Sequence, residues 1–443
     1  MKRFEGFANI AHTLRNPTYR IYIVGKFSAQ VTLWMYRLAL AWIVWDMTHS
    51  PAWLGIFGFL DHAPSLLVSP FAGALADRVD RMKLLRLTQA LLLVHGLLLS
   101  TLIMADLLDI WLLAGFTLYF GIVVAIQVPA SQSVVPNLVS RDVLPTAYGI
   151  NSLCMNTSRF IGPMLAGVII SVWGAGEAIF GTVIGLGIFS ICLAVMKVDI
   201  REGGKKSHQH MTRDIWEGFQ YARGHAGIRP MFILLIMLAV FTFPILQLMP
   251  SFAGGVFDAG PTGLSLMIAL YSIGALLQAV YLAQRGGITG LTSHILRMIL
   301  VMGAGFIMLI STDVFWFGLV SIFVIGFATA ADKVGSLTLV QYAVHGDMRG
   351  RIAAFYAMIF HGGPALGSLM LGFIAEHVGI RPTIAAVGVL TIAIFLWANW
   401  KNKTMAPALE REDKGTLVGG QVVSEAPPEE PASEPVRHPS AAQ

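Results

Sequence analysis

Twelve apolar runs, each close to the length a helix needs to cross a bilayer, constrain this chain more than any other feature. They cover roughly 20–46, 52–76, 84–105, 110–131, 146–172, 177–197, 230–252, 262–284, 292–311, 314–333, 352–375 and 381–400. A bilayer core takes about 20 apolar residues in helical form. Hydrophobic residues make up 56% of the 443 and charged residues only 12%, against about 25% charged in a soluble domain. A mean hydropathy of +0.69 fits the same picture and excludes a soluble enzyme. Cys154 and Cys192 both sit inside apolar runs and offer neither a disulfide framework nor metal-ligand spacing.

The charges orient the spans. Twenty-five of the 30 Lys and Arg fall on one side: the N-terminus, the connections after even-numbered spans, the middle connection and the tail. Arg381 alone falls on the opposite side, where Asp46, Asp106, Asp109, Glu177, Asp258, Asp313 and Glu376 gather. By the positive-inside rule both termini are expected in the cytoplasm, which requires an even span count. The net charge of +5 is therefore topological and gives no reason to expect a nucleic-acid partner. The polar opening stretch and the long first span predict no cleavable signal peptide.

The longest connection divides the spans six and six. The expected organisation is an N-terminal six-helix bundle over 1–197, a cytoplasmic loop over 198–229 with a surface helix from Arg213 to Arg223, and a C-terminal bundle over 230–400. The Pro-, Glu- and Ser-rich stretch 401–443 is expected to be a disordered cytoplasmic tail, because it lacks apolar area to bury. The halves look related. Gly162-Pro163 in span five and Gly363-Pro364 in span eleven lie at the same offset as Pro129-Ala-Ser131-Gln132 and Ala330-Ala-Asp332-Lys333. Repeated halves build alternating access around a midplane site in many transporters.

The connection after span two reads Gly73-Ala-Leu-Ala-Asp77-Arg78-Val-Asp80-Arg81-Met-Lys83. It resembles the signature of the major facilitator superfamily, Gly-x-x-x-Asp-Arg-x-Gly-Arg-Arg/Lys, with Asp80 at the second glycine. That departure, with Ala41-Trp42 to Thr48-His-Ser50-Pro51, Pro129 to Pro136-Asn-Leu-Val, and Arg349-Gly350-Arg351, is similar to a subgroup of enterobactin-exporter-like and multidrug proteins. The resemblance covers about 15–400. It implies an all-α membrane protein of twelve transmembrane helices in two pseudo-symmetric six-helix bundles. It also implies a conformational latch of Gly73, Asp77, Arg78, Arg81 and Lys83, with Asp77 near the N-terminus of span eleven. The bare physics agrees, since a helix N-terminus stabilises a carboxylate; the alternative is that these bases only fix topology. Ser158-x-x-x-Gly162-Pro163-x-x-Ala166-Gly167 resembles the antiporter signature, lacking glycine at Ser158 and Ala166. Gly162, Pro163, Gly363 and Pro364 are expected to kink their helices or to let helices pack closely.

Charges inside a bilayer mark a pathway or a pair. Arg37 lies 12 or 13 residues before the turn at Ser50 and Asp61 lies 11 or 12 after it. At about 1.5 Å per residue both stand about 18 Å below the turn, so they are expected to pair across the hairpin. Asp61 then either couples proton movement to conformation or forms a permanent ion pair. His62 points about 100° away from Asp61 on a helix and need not share the site. Arg159 either contacts an anionic substrate or balances Asp332. Asp332 and Lys333 either line the cavity mouth or form an interfacial pair; Lys26 is expected to snorkel. Gln30, Trp34, Asn156 and Gln247 complete the candidate lining of a mixed apolar and hydrogen-bonding cavity.

No Gly-x-x-x-x-Gly-Lys-Ser/Thr loop, catalytic triad pattern or metal motif occurs, so no cofactor or metal is expected and gradients must supply the energy. The sequence points to a secondary transporter, read as a proton-coupled exporter of a small amphipathic molecule, siderophore-like or drug, in a bacterial inner membrane. The expected partners are the substrate, protons, the bilayer and outer-envelope export components. A metabolite importer or uniporter shares most of these features, and a non-transporting scaffold or sensor is the third reading.

Overall fold

A computed structural model describes residues 10–196, 211–344 and 348–410, with the short pairs 417–418 and 421–422; side chains of 69–78 and 211–215 lie outside the description. The first six spans are α1 (Pro17–Thr48), α2 (Pro51–Arg78), α3 (Arg81–Met104), α4 (Ile110–Val134), α5 (Leu144–Val172) and α6 (Ala175–Val195). The middle connection contains α7 (Met211–Gly224). The seventh span is two helices, α8 (Ile228–Phe241) and α9 (Ile245–Gly255). Spans eight to twelve are α10 (Gly260–Arg285), α11 (Leu291–Ile310), α12 (Phe315–Ala343), α13 (Arg349–Val378) and α14 (Ile380–Leu409). Among the described residues eleven spans are long and apolar enough to cross a membrane; the 28-residue α2 completes the twelve.

The pairing of helices repeats with an offset of six spans. In the first half α1 packs on α5 and α6, α3 on α4 and α6, and α2 on α4. In the second half α8 packs on α13 and α14, α11 on α12 and α14, and α10 on α12. The two halves meet along α2/α13 and α5/α10, which are each other's symmetry mates, and where α9 touches α1 and α2. This is the pseudo-symmetric two-bundle architecture expected from the sequence.

Local chemistry sets the helix ends. Asn16 caps α1, its side chain accepting from the amides of Thr18 and Tyr19. Asp80 caps α3, accepting from Met82 N at 2.9 Å and Lys83 N at 3.1 Å. The residue that departs from the superfamily's glycine is therefore a helix N-cap, a position that favours Asp over Gly modestly. The seventh span breaks because Pro244 has no amide to donate. Thr242 N and Phe243 N both turn back to Leu238 O, and the chain restarts at Ile245. The sequence reading treated 230–252 as one uninterrupted run.

The last helix corrects the expected tail. It continues through 401 to Leu409 and ends at Glu410. The Glu410 carboxylate accepts from Gly290 N and, at 2.7 Å, from Thr292 N, capping α11 and anchoring the end of α14. Beyond it, 411–443 form a separate unit. There the antiparallel pair Leu417–Val418 with Gln421–Val422 is described, and the remaining residues of the expected tail lie outside the description. The basic stretch 203–210 of the middle loop also lies outside it. The surface helix of that loop is α7, docked on α13 through Arg351 Nη1 and Glu217 Oε2 at 2.7 Å.

The two bundles close on each other at one end. There Glu376 of α13 reaches the start of α2. Its Oε2 accepts from Ser50 Oγ at 2.6 Å and from Ala52 N at 3.2 Å. Below it α2 and α13 touch backbone to backbone: a Cβ on Gly372 would lie 2.7 Å from Pro51 O and 2.8 Å from Gly55 Cα. At the same end, Gly167 of α5 admits Ser265 of α10, and Gly254 of α9 admits the indole of Trp45. The charge distribution of the sequence leads one to expect this as the outer end.

Candidate functional site

The site begins with a close helix crossing. Gly162 of α5 lies so near α1 that an added Cβ would sit 2.7 Å from Trp34 Cβ and 3.1 Å from Met35 N. Arg159, one turn earlier on α5, is thereby brought to Trp34. Its guanidinium carbon stands 5.1 Å from the Trp34 ring centroid. Arg37, one turn later on α1, stands 5.2 Å from the same ring. One indole thus serves two guanidiniums, a contact worth about 0.5–2 kcal/mol each depending on solvation. That attraction opposes the repulsion between two like charges.

Arg37 is the neutralised member of the pair. Its Nη2 lies 3.3 Å from Asp61 Oδ2, joining α1 to α2 at the depth the sequence implied. The side chains are 29% and 11% exposed, so the pair is mostly withdrawn from water. His62 joins as well. Its Nδ1 is 3.4 Å from the same carboxylate oxygen and 3.0 Å from Gly58 O. The sequence reading left His62 out because adjacent helical positions diverge; the imidazole instead turns back along α2. Gly58 also admits the second bundle: an added Cβ there would meet Gln247 Cγ and Ser368 Oγ, each at 2.8 Å. Gln247 therefore crosses from α9 to within one turn of Asp61.

The second bundle supplies Asp332 and Lys333 from α12. Among the described contacts they do not form the interfacial ion pair, one of the two arrangements expected from the sequence. Asp332 is fully buried, with Oδ1 accepting from Ser336 Oγ at 3.0 Å. Lys333 Nζ sits over two rings, 4.2 Å from Phe243 and 4.8 Å from Phe360. Phe243 reaches that place because the seventh span is broken there. Tyr356 holds the α12 backbone from α13, its hydroxyl donating to Lys333 O at 2.7 Å. Arg159 and Lys333, one from each bundle, lie within electrostatic reach of each other, and His361 within reach of His62, Arg37, Asp61 and Lys333.

The other candidates fall elsewhere. Gln30 lines a separate cavity of about 60 Å³ inside the first bundle, with Lys26, His95 and Gln127. Lys26 Nζ is 5.4 Å from the Tyr22 ring and turns into that cavity instead of simply snorkelling. Asn156 is exposed and donates to Ser152 O at 2.9 Å. Gly162-Pro163 and Gly363-Pro364 stand inside continuous helices, α5 and α13. Their glycines act by close approach, Gly162 to α1 and Gly363 to Ala239 of α8. Gly73, Asp77 and Arg78 lie in the last turns of α2, where side-chain placement is outside the description, and Arg81 and Lys83 open α3. The sequence reading missed Glu376 and Ser50, which it counted as a topological acid and a turn residue.

A polar cluster buried between two six-helix bundles that are sealed at one end is the arrangement of a secondary transporter. The sequence matches the transmembrane secretion effector family over residues 9–418, and the chain belongs to that family, within the major facilitator superfamily. It is a multi-pass membrane transporter, not an enzyme. It is 24% identical to a staphyloferrin A transporter of Staphylococcus aureus, over 86% of this chain and 96% of that protein. It is 22% identical to macrolide efflux protein A of Streptococcus pyogenes (84% and 92% covered). An enterobactin exporter of Citrobacter koseri is 25% identical (84% and 88% covered). Among solved structures, the nucleoside transporter NupG superposes with a TM-score of 0.67 at 12% identity, covering 87% of this chain and 99% of that one. A bacterial homolog of the human lysosomal transporter Spinster, inward-facing and unoccupied, gives 0.68 at 12% identity, covering 90% and 98%.

Proposed function

We propose that this protein is a proton-coupled exporter of a small amphipathic molecule, a siderophore-like metabolite or a drug, working by alternating access in a bacterial inner membrane with both termini in the cytoplasm. The observation that carries the reading is the Asp61 carboxylate, held between Arg37 and His62 at the edge of the inter-bundle site. A carboxylate with a cation on one side and an imidazole on the other can exchange a proton for a salt bridge, so protonation and conformation become linked. The relatives named for staphyloferrin A, enterobactin and macrolides support a small substrate and, for the latter two, outward movement. The Ser50–Glu376 closure, at the end read as outer, supports a cytoplasm-facing state ready to load, as in the Spinster homolog's inward-facing structure.

The test compares culture medium and cell contents of strains lacking and overproducing the protein, with and without iron, by untargeted mass spectrometry. Export predicts a compound that leaves the medium and accumulates inside when the protein is missing, and iron control of that compound selects the siderophore over the drug. A compound that instead accumulates inside on overproduction, and is drawn from the medium, refutes export in favour of uptake.

The signature on α2 is proposed as the opposing latch at the cytoplasmic end. Asp77→Asn is expected to slow conformational exchange and lower turnover several-fold while substrate affinity is kept, because a charge at a helix terminus contributes about 0.3–2 kcal/mol. Turnover equal to wild type in reconstituted vesicles removes the latch.

A further inference from the structure

We propose that the inter-bundle site takes an organic anion, a compound carrying two or more carboxylates or equivalent oxyanions, bridged between Arg159 of the first bundle and Lys333 of the second. This rests on the transporter reading above and narrows its substrate class, excluding the cationic drugs that the same fold could serve.

The charge inventory comes first. Arg37, Arg159 and Lys333 face Asp61 and Asp332, with His62 and His361 adding positive charge whenever protonated. One positive charge is left over. Its location is defined by the pairing. Arg37 is tied to Asp61, whereas no carboxylate lies within ion-pairing distance of Arg159 or Lys333 among the described contacts. Asp332, beside Lys333 in the chain, interacts with it electrostatically and is counted against it, but forms no ion pair with it among the described contacts, its Oδ1 being engaged by Ser336.

The hydrogen-bond inventory points the same way. Arg159 Nε, Arg37 Nε and Trp34 Nε1 are buried donors with no acceptor, clustered around one indole. Buried donors without partners are uncommon in proteins, and three in one place are available to a ligand's oxygens. A guanidinium is a planar fork matched to a carboxylate, and stacking on Trp34 fixes its plane before the ligand arrives. Lys333 is a point charge propped on Phe243 and Phe360, suited to a second anionic group. The unpaired acceptors nearby, Gln247 Oε1 and Asp332 Oδ2, would take a hydroxyl or amide N–H of the same molecule. Because Arg159 and Lys333 belong to different bundles, an anion that holds both draws the bundles together on loading. A cation of the same size meets excess positive charge and donors that it cannot satisfy.

The experiment uses the full chain in phosphatidylcholine nanodiscs and measures binding calorimetrically. The probes are benzene-1,3,5-tricarboxylate, citrate and tetraphenylphosphonium. The two carboxylates are expected to bind and tetraphenylphosphonium is not. Arg159→Gln and Lys333→Gln should each weaken carboxylate binding by about tenfold or more, with Arg159→Lys intermediate because it keeps charge without the fork. Arg159→Lys also guards against loss of fold, since it keeps the buried cation, and each variant is checked by size-exclusion profile and melting temperature. Binding of tetraphenylphosphonium with none of the carboxylates, or carboxylate affinity unchanged in both Gln variants, overturns the proposal. Nanodiscs of phosphatidylglycerol separate a soluble anion from a lipid headgroup. Equal carboxylate affinity in both lipids supports the soluble anion, and its loss in phosphatidylglycerol overturns it. Failure of export is distinguishable: carboxylate binding without vectorial movement in proteoliposomes refutes the exporter and leaves the site, whereas pumped tetraphenylphosphonium refutes the site and leaves the exporter.

Discussion

Asp61→Asn is expected to reduce gradient-driven transport to the level of protein-free liposomes while the protein still inserts. The amide keeps the size and hydrogen-bonding reach of the carboxylate. It cannot take up or release a proton, so the exchange between a proton and the Arg37 salt bridge stops. Removing one partner of a well-buried pair costs about 3–5 kcal/mol. With Arg37 29% exposed, water recovers part of that, and a loss of about 1–3 kcal/mol is a fairer expectation. The double variant Arg37→Gln/Asp61→Asn separates the two roles of the pair. It removes both charges together and should recover most of the lost stability without recovering transport. Transport by the double variant at the wild-type rate under an imposed pH gradient would mean that the pair is a structural strut and that coupling lies elsewhere.

Glu376→Gln is expected to loosen the closed end and shift the resting population toward the state open on that side. The carboxylate sits at the start of α2, where it accepts from Ser50 Oγ and Ala52 N, and Ser50 Oγ in turn accepts from Trp53 N at 3.3 Å. An anion at a helix N-terminus with a short charge-assisted hydrogen bond contributes about 1–2 kcal/mol, so the population ratio should move by about 5–30-fold. Spin labels at the exposed positions Leu107 and Val314, in a chain with Cys154 and Cys192 replaced, report the separation of the two bundles at that end. A growing long-distance population is the expected result, and an unchanged distance distribution would show that Glu376 is not a gate. Gly372→Val provides a steric version. Its side chain would enter the backbone of Pro51 and Gly55, so it should push the same distribution further than Glu376→Gln does.

Much of this molecule is legible without coordinates, and the reasons are physical. A bilayer leaves few solutions for a polar backbone, so twelve long apolar runs mean twelve helical spans, though not that each is unbroken. The positive-inside bias gives them an expected direction from composition alone. Counting residues either side of the Ser50 turn places Arg37 and Asp61 at one depth, because a hairpin of two straight helices converts sequence separation into height. The signature after the second span identifies the superfamily, and the Gly-Pro pairs reveal the repeat.

What the sequence alone did not determine depends on sideways contacts, which linear spacing does not encode. Depth says nothing of which way Arg159 turns; the α1/α5 crossing at Gly162 decides that it meets Trp34. Gln30 and Gln247 look equivalent as polar residues within spans, yet one faces a cavity inside a bundle and the other crosses between bundles. Phe243 supports Lys333 only because Pro244 breaks the seventh span beside it. Glu376 and Ser50 are 326 residues apart and become partners only once two bundles close, since a contact between halves is a property of their docking and not of either half. The sequence by itself determined the class, the spans and the pair at Asp61. Only the tertiary structure decided which charges remain unanswered at the centre, because that depends on which neighbours each charge is given.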